Sequence, residues 1–396
     1  MNPIKVCFYR IYQFGLHLVV KIVKIPMPDS IDKIEDVKIK LKENNLTHPL
    51  IVTSKSVSNS IYLLELIDDL KQNGVFVDIY KDVTPDPTFK LVYNLLDFYK
   101  RKSCDSIIAV GGGSVMDASK ALGALVVKNK PLEKLKGILK VRKKIPYLIA
   151  IPTTAGTGSE ATVSAVLVNE RTNDKFAITD LVLVPKLVLL DDKFLKSVPK
   201  TVIRNSGMDA YCHAIEAYLS TFDLKVANEY ALKAIKLVYD NLISYYEDSY
   251  NDEARKNMQM ASYYAGLAFT RVYVGYVHAL AHAIGGIYHL AHGYLVAILL
   301  PYVLEAYGDT ILNKVNIINS FIGIDNEENS ITAFINSIKE MNNKLGIESL
   351  NGIIKEEDYD IIARHAKKEA NPFYPVPKEL SEKELKDIII KVNNKE

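Results

Sequence analysis

The sequence predicts an α/β domain built on a parallel sheet, followed by an all-α domain. Between about Leu50 and Leu190, short apolar runs rich in β-branched residues alternate with amphipathic stretches, the pattern of strands joined by crossover helices. After Pro199 such runs become scarce, and Ala, Leu, Ile and Tyr recur at helical spacing. A length of 396 residues suits two domains. The expected divisions are a helix over 1–28, an α/β domain over 29–199 and a helical domain over 200–396.

Composition narrows the function classes. Apolar residues make up 48% and charged residues 24%, which excludes a mainly disordered chain. Lys and Arg number 49 against 47 Asp and Glu, so there is no bulk field for nucleic acid, and nucleic-acid binding is not expected. Cys7, Cys104 and Cys212 are an odd, sparse set that forms no disulfide framework, which points to a reducing, cytoplasmic setting. No uninterrupted apolar run reaches the roughly 18–20 residues of a transmembrane segment.

Taken in chain order, the first 28 residues do not read as a signal peptide. Arg10, His17, Lys21 and Lys24 interrupt the apolar stretch, and no small-residue cleavage site follows. As a helix, Arg10, Gln13, His17, Lys21 and Lys24 form one polar stripe, with Ile4, Phe8, Ile11, Tyr12, Leu18, Val19 and Ile22 on the rest, until Pro26 and Pro28 stop it. Two readings are open: a helix docked on the protein's own body, or a basic amphipathic helix over 4–25 making weak contact with a membrane surface or partner. Strands are predicted at 50–53, 76–79, 106–110, 147–151, 165–168 and 187–190, with helices over 60–72 and 89–100. Several strands are almost continuously apolar, as strands covered on both faces are.

Two loops stand out. The run 106–110 leads into Gly111-Gly112-Gly113-Ser114-Val115-Met116-Asp117 and then a helix. The glycines permit a tight turn with exposed amides, and the helix start adds unpaired N–H groups and a positive dipole end that suit a pyrophosphate. Ser114 and Asp117 also fit a capping box, and Met116 breaks the G-x-G-x-x-G fingerprint, so a plain strand-to-helix turn remains open. The second loop, Pro152-Thr153-Thr154-Ala155-Gly156-Thr157-Gly158-Ser159-Glu160, sets hydroxyls and glycines at the carboxyl end of a predicted strand, where open α/β sheets bind ligands. A hydroxyl-rich helix cap is the alternative; two such loops together point to a nucleotide.

Five of the eight histidines fall between His213 and His292, four of them at His278, His282, His289 and His292. Asp209 and His213, four apart, share a helix face, and carboxylate with imidazole suits zinc or iron. Ser206 with Asp209 alternatively caps a helix start, and His213 alternatively is a satisfied core histidine. On one straight helix His278 and His292 would stand about 21 Å apart. A site using both needs the chain to turn back, with Gly285, Gly286 and Gly293 as the available breakers. Otherwise His278 and His282 chelate from a single turn; spacing leaves both schemes open.

At these residues the sequence resembles the iron-containing (group III) alcohol dehydrogenases, through the segments 111–117, 152–160, 207–216 and 275–293 in the right order and spacing. The resemblance runs from about Leu50 to Pro301 and more loosely to the C-terminus. It implies the dehydroquinate synthase-like architecture: a nucleotide-binding α/β domain and a helical domain, with metal and substrate between them. It implies that Asp209, His213, His278 and His292 are metal ligands, with iron as the family default and zinc compatible with the same donors. His282 is implied to sit beside metal and nicotinamide as a proton relay. Gly112, Gly113, Ser114 and Asp117 match the pyrophosphate loop, Thr153, Thr154 and Thr157 match nucleotide contacts, and Lys175 matches a lysine near the cofactor. His289 has no family role and reads as a surface or loop histidine.

There are departures from the family pattern. The carboxylate that often follows the first strand and rejects a 2′-phosphate is Ser54 here, followed by Lys55, which favours NADP over NAD. Asp86 replaces the Asn of a Pro-Asn-Pro segment, Val296 an Asn after the last ligand histidine, and Phe373 an Arg after Asn-Pro. The implied activity is hydride transfer between NAD(P) and a small primary alcohol or aldehyde, in a homo-oligomer by analogy. A polyol dehydrogenase is an alternative. A sugar-phosphate lyase or cyclase is another, disfavoured because 261–292 offers only Arg271 as a basic side chain. A non-enzymatic fold that meets a partner through its first helix is the third.

Overall fold

The computed structural model describes residues 3–170, 174–325 and 330–394. It divides into two compact units, an α/β unit over Ile25–Val198 and a helical unit that combines Met1–Lys24 with Pro199–Glu396. The first helix, α1 (Pro3–Ile22), therefore belongs with the helical half, although 174 residues of α/β unit intervene in the chain.

The α/β unit runs β1 (Asp29–Ile31), α2 (Ile34–Glu43), β2 (Pro49–Val52), α3 (Ile61–Gln72), β3 (Asp78–Tyr80), α4 (Phe89–Arg101), β4 (Ser106–Gly111), α5 (Gly113–Val127), β5 (Gly137–Ile138), β6 (Tyr147–Pro152), β7 (Ser164–Asn169), β8 (Asp174–Thr179) and β9 (Leu187–Leu189). Six strands form one sheet in the order β1-β9-β6-β4-β2-β3, with every pairing parallel. All residues of β2 and β4 are buried, as expected for strands with helices on both faces. Register decides where the two loops begin: Gly111 at the end of β4 pairs with Pro152 at the end of β6, so both leave the sheet side by side.

In the α/β unit three expectations need correction. The strand at 165–168 does not join the parallel sheet. As β7 it pairs antiparallel with β8 in a separate three-stranded sheet. Its alternation, with Ala165 and Leu167 buried and Val166 exposed, is that of a strand covered on one face. The third strand lies two residues later than predicted, because Phe76 is exposed and its amide donates to the Thr47 carbonyl instead. Ser114 and Asp117 are not a capping box: Gly112 is the N-cap of α5 and offers no side-chain cap, while Asp117 bonds elsewhere.

The helical unit continues with α6 (Lys200–Leu219), α7 (Lys225–Glu247), α8 (Asp252–Val272), α9 (Tyr276–Tyr288), α10 (His292–Tyr307), α11 (Leu312–Ile322), α12 (Ser330–Lys344), α13 (Tyr359–Ala370) and α14 (Glu382–Asn394). Every residue of α6 from Gly207 to Leu219 is buried, so this helix is the core of the unit rather than one side of it. Because α6 starts at Lys200, Ser206 and Asp209 lie in its interior, which overturns their reading as a helix cap. Small residues let neighbours approach: a side chain on Gly207 would strike Leu242 of α7, and one on Gly293, in the first turn of α10, would strike the Asn205 carbonyl of α6. The stretch His292–Ile322 is long and apolar enough, by length and composition alone, to cross a bilayer. Uninterrupted apolar runs do not reveal it; 61% of its most apolar window is buried inside the unit, as in a core helix.

Gly293→Ala should destabilise the unit by about 1–3 kcal/mol, since the obstacle is backbone and cannot rotate away. The urea midpoint measures this; an unchanged midpoint would mean that α10 lifts freely off α6.

Candidate metal centre and cofactor loops

Asp209 and His213 stand one turn apart on α6, and His278 and His282 one turn apart on α9. The chain then reverses. The turn is made at His289, which adopts a left-handed conformation (φ 52°) as the C-cap of α9, and α10 starts at His292. Gly285 and Gly286, expected as breakers, remain inside α9. The exposed His289 thus has a backbone role in the turn.

This reversal brings remote donors to one point. His278 Nε2 lies 3.6 Å, His292 Nε2 3.4 Å and His213 Nδ1 3.5 Å from a single oxygen, Asp209 Oδ1. The donor atoms of Asp209, His278 and His292 lie within 4.8 Å of one another. The His213 ring stacks on Phe269 at 4.1 Å and lies 4.3 Å from the His278 ring. His282 adjoins the group, stacked on His292 at 5.0 Å, but its Nδ1 is occupied by Glu369 Oε1 at 2.7 Å, an oxygen that also accepts from the Tyr374 hydroxyl at 2.9 Å.

Among the described residues, Asp209 Oδ1, His213 Nδ1 and His278 Nε2 are buried polar atoms without a hydrogen bond. Orphans of this kind are costly unless something satisfies them. Burial opposes ionisation of Asp209, yet the imidazoles of His213, His278 and His292 outweigh it and hold its carboxyl well below the usual range. Burial pushes His213 down to about 3 and His292 down to about 4, which leaves both rings neutral with lone pairs to donate. His278 moves the other way: burial opposes its charging, but Cys212, Glu216 and Asp209 raise it well above the ordinary histidine range. One carboxylate oxygen and three imidazole nitrogens around one point fit a divalent transition metal.

Glu216 and Glu369 escaped the sequence reading. Glu216 Oε2 accepts from His278 Nδ1 at 2.6 Å and from the Gly275 amide at 2.7 Å, and Oε1 accepts from the Val277 amide at 2.8 Å. It therefore caps α9 from another helix and sets the His278 ring in the tautomer whose Nε2 faces Asp209. A side chain at Gly275 would meet Glu216 Oε1 at 2.6 Å, so this glycine is needed for close approach. Glu216 did carry a signal, seven residues after Asp209 on the same helical face. Glu369, 87 residues from His282, carried none.

In the α/β unit the two loops interlock. A side chain on Gly112 would meet Thr154 Oγ1 at 3.1 Å, and one on Gly113 would meet Thr157 Cγ2 at 2.8 Å. Ser114 sits in the first turn of α5, where amides lack helical partners. Thr153 is buried and its amide donates to the Gly111 carbonyl at 3.0 Å. Asp117 ties the loops together, accepting from Ser159 Oγ at 2.8 Å and the Val166 amide at 3.1 Å. Lys120, one turn on and fully buried, was not foreseen: its ammonium lies 2.6–3.1 Å from five oxygens of Ser159, Thr162 and Ser164 and so holds the hydroxyl loop. Lys175 on β8 pairs with Asp86 at 3.4 Å, and Asp86 has φ 49°, a conformation that Asn and Asp tolerate better than most residues. Ser54 follows β2, bonded to Ser56 Oγ at 2.9 Å, while the exposed Lys55 lies 3.6 Å from Asp82.

The chain resembles known proteins along most of its length. Residues 30–192 match the model of the iron-containing alcohol dehydrogenases, and residues 203–392 match that of the C-terminal part of the same family. The chain is similar to alcohol dehydrogenase 4 of Saccharomyces cerevisiae (strain YJM789), with 34% identity over 334 residues, 83% of this chain and 87% of the relative. It is 34% identical to the 1,3-propanediol dehydrogenase of Citrobacter freundii over 81% of this chain and 84% of that one. The solved structure of an alcohol dehydrogenase from Oenococcus oeni matches with a TM-score of 0.89 at 31% identity, covering 93% of this chain and 99% of that chain.

Proposed function

The chain belongs to the iron-containing alcohol dehydrogenase family, and on that premise we propose that Asp209, His213, His278 and His292 hold one divalent cation, iron before zinc, in an NADP-preferring reductase of short aldehydes. The carrying observation is the buried Asp209 oxygen, free of hydrogen bonds, with three imidazole nitrogens 3.4–3.6 Å away. A bound cation supplies Lewis-acid polarisation of a carbonyl oxygen, and the dinucleotide supplies the hydride.

The chain's own residues supply the rest. Glu216 fixes the His278 tautomer, and Asp209 brings the one negative charge among the donors. His282 moves the proton of the alcohol hydroxyl. Its Nδ1–H is held by Glu369, so Nε2 is the atom that gives or takes that proton. Burial works against ionisation of Glu369, but His282 and Tyr374 hold its carboxyl below the usual range, so it accepts from both as a carboxylate. In the α/β unit, the first-turn amides of α5 with Thr153, Thr154 and Thr157 bind the pyrophosphate side, braced by Asp117 and Lys120. Lys175 and Asp86 flank the cofactor. Ser54 and Lys55 take the 2′-phosphate in place of a repelling carboxylate. The sugar-phosphate alternative loses its one cation: Arg271 donates to the Leu267 carbonyl and lies over the Tyr230 ring.

Anaerobically prepared protein loaded with Fe²⁺ should oxidise NADPH with short aldehydes. No turnover across an aldehyde panel would defeat the assignment. His278→Ala should abolish stoichiometric metal, and Glu216→Gln should weaken metal affinity about 10–100-fold; retention of full metal content by His278→Ala would break the ligand set. Ser54→Asp should raise the KM for NADPH about tenfold or more through like-charge repulsion, with NADH less affected. Glu369→Gln should lower kcat about 10–100-fold at unchanged metal content, with little effect on the KM for the dinucleotide. An unaltered kcat would remove Glu369 from the proton path.

A further inference from the structure

A helix on the surface of a globular protein ordinarily turns its apolar stripe to the core. Helix α1 does the reverse. Of its residues only Gln13 is buried, while Ile4, Ile11 and Ile22 are 78%, 66% and 81% exposed and Phe8, Phe14 and Leu18 are exposed beside them. The inward face centres on Arg10, Gln13 and His17, with Val6, Tyr9, Leu16 and Val20 half-buried beside them. Arg10 donates to the carbonyls of Val376 and Pro377 at 2.8 and 3.1 Å, and Gln13 donates to the Tyr374 carbonyl at 2.9 Å and to Glu379 at 3.0 Å. His17 rests edge-on against Phe222. These directional bonds fix the rotation of α1 about its axis. Rolling the apolar face inward would break them and leave Glu379, buried beneath, short of a donor.

We propose that the outward face of α1 lies on an anionic lipid surface and so tethers the protein there. Charge selects this occupant. At about 100° per residue, Lys5 and Lys21 fall on opposite edges of the apolar face, where long cationic side chains reach headgroups while their stems stay in the apolar zone. Both are exposed, as is Lys24 just beyond the helix. The first carboxylate in the chain is Asp29. Two copies of α1 packed face to face would set lysine edges against each other with no acid on either helix to offset them. An anionic bilayer supplies that complement. The helix precedes residue 30, where the family match begins, so the catalytic machinery does not require this face to be apolar.

Full-length metal-loaded protein should co-sediment with vesicles of equal parts phosphatidylglycerol and phosphatidylcholine, and only weakly with phosphatidylcholine alone. The triple variant Phe8→Ser/Ile11→Ser/Leu18→Ser, and separately Lys5→Glu/Lys21→Glu, should each cut the bound fraction about tenfold or more and leave reductase activity in solution unchanged. Cys7 is exposed whereas Cys104 and Cys212 are buried, so a polarity-sensitive fluorophore attached at Cys7 reports the face directly; its emission should shift to the blue on anionic vesicles. If the unmodified protein ignores anionic vesicles, or if the serine variant binds them equally well, the proposal fails. It fails equally if the serine variant changes the oligomeric state while vesicles have no effect, because the face is then a contact between copies.

Discussion

The carboxylate of Asp209 is buried in the middle of the helical unit, and a charge so placed is tolerated only when its surroundings compensate for the lost water. The organisation of the unit follows from that constraint. Helix α6 is buried along its central turns, so its side chains meet partners on every side. The α9–α10 reversal delivers His278 and His292 to the same oxygen from two further helices. Glu216 adds a second buried carboxylate, which caps α9 and raises the demand for positive charge beneath it. A cluster of this composition suits a divalent cation in donors and in charge. The glycines at 207, 275 and 293 are where the backbone must come close enough for this to happen.

The α/β unit is organised differently, around two neighbouring loops. Parallel register brings the ends of β4 and β6 level, so a glycine turn and a hydroxyl loop emerge together. Backbone amides then offer partial charges that need no desolvated side chain. Asp117 and Lys120 act as braces, joining α5 to the hydroxyl loop. The side sheet of β5, β8 and β7 carries Lys175 opposite Asp86.

Helix α1 stands outside that machinery and follows another logic. Arg10 and Gln13 satisfy the carbonyls and buried carboxylate of the 374–379 segment, and this turns most of the large apolar residues of the helix outward. A helix rarely sacrifices apolar burial for a few hydrogen bonds unless its outer face also has a use.

Much of this was readable in the order of residues. Strand and helix alternation, the glycine and hydroxyl loops and the concentration of histidines are local properties, set by side-chain period and chemistry; the helical second half and the core strands β2, β4, β6 and β9 emerged where the pattern put them, whereas β1 was not anticipated. Tertiary structure alone decided the remainder. Spacing left His278 a choice of neighbour, and the reversal at His289 set His292 beside the same Asp209 oxygen, which no local period encodes. Strand β7 stands outside the parallel sheet, paired edge to edge with β8 and covered on one face only. The direction in which α1 faces, and the service of Glu216 and Glu369 to distant imidazoles, depend on contacts 60 or more residues away in sequence. No local period encodes such contacts; they exist only once the chain has packed.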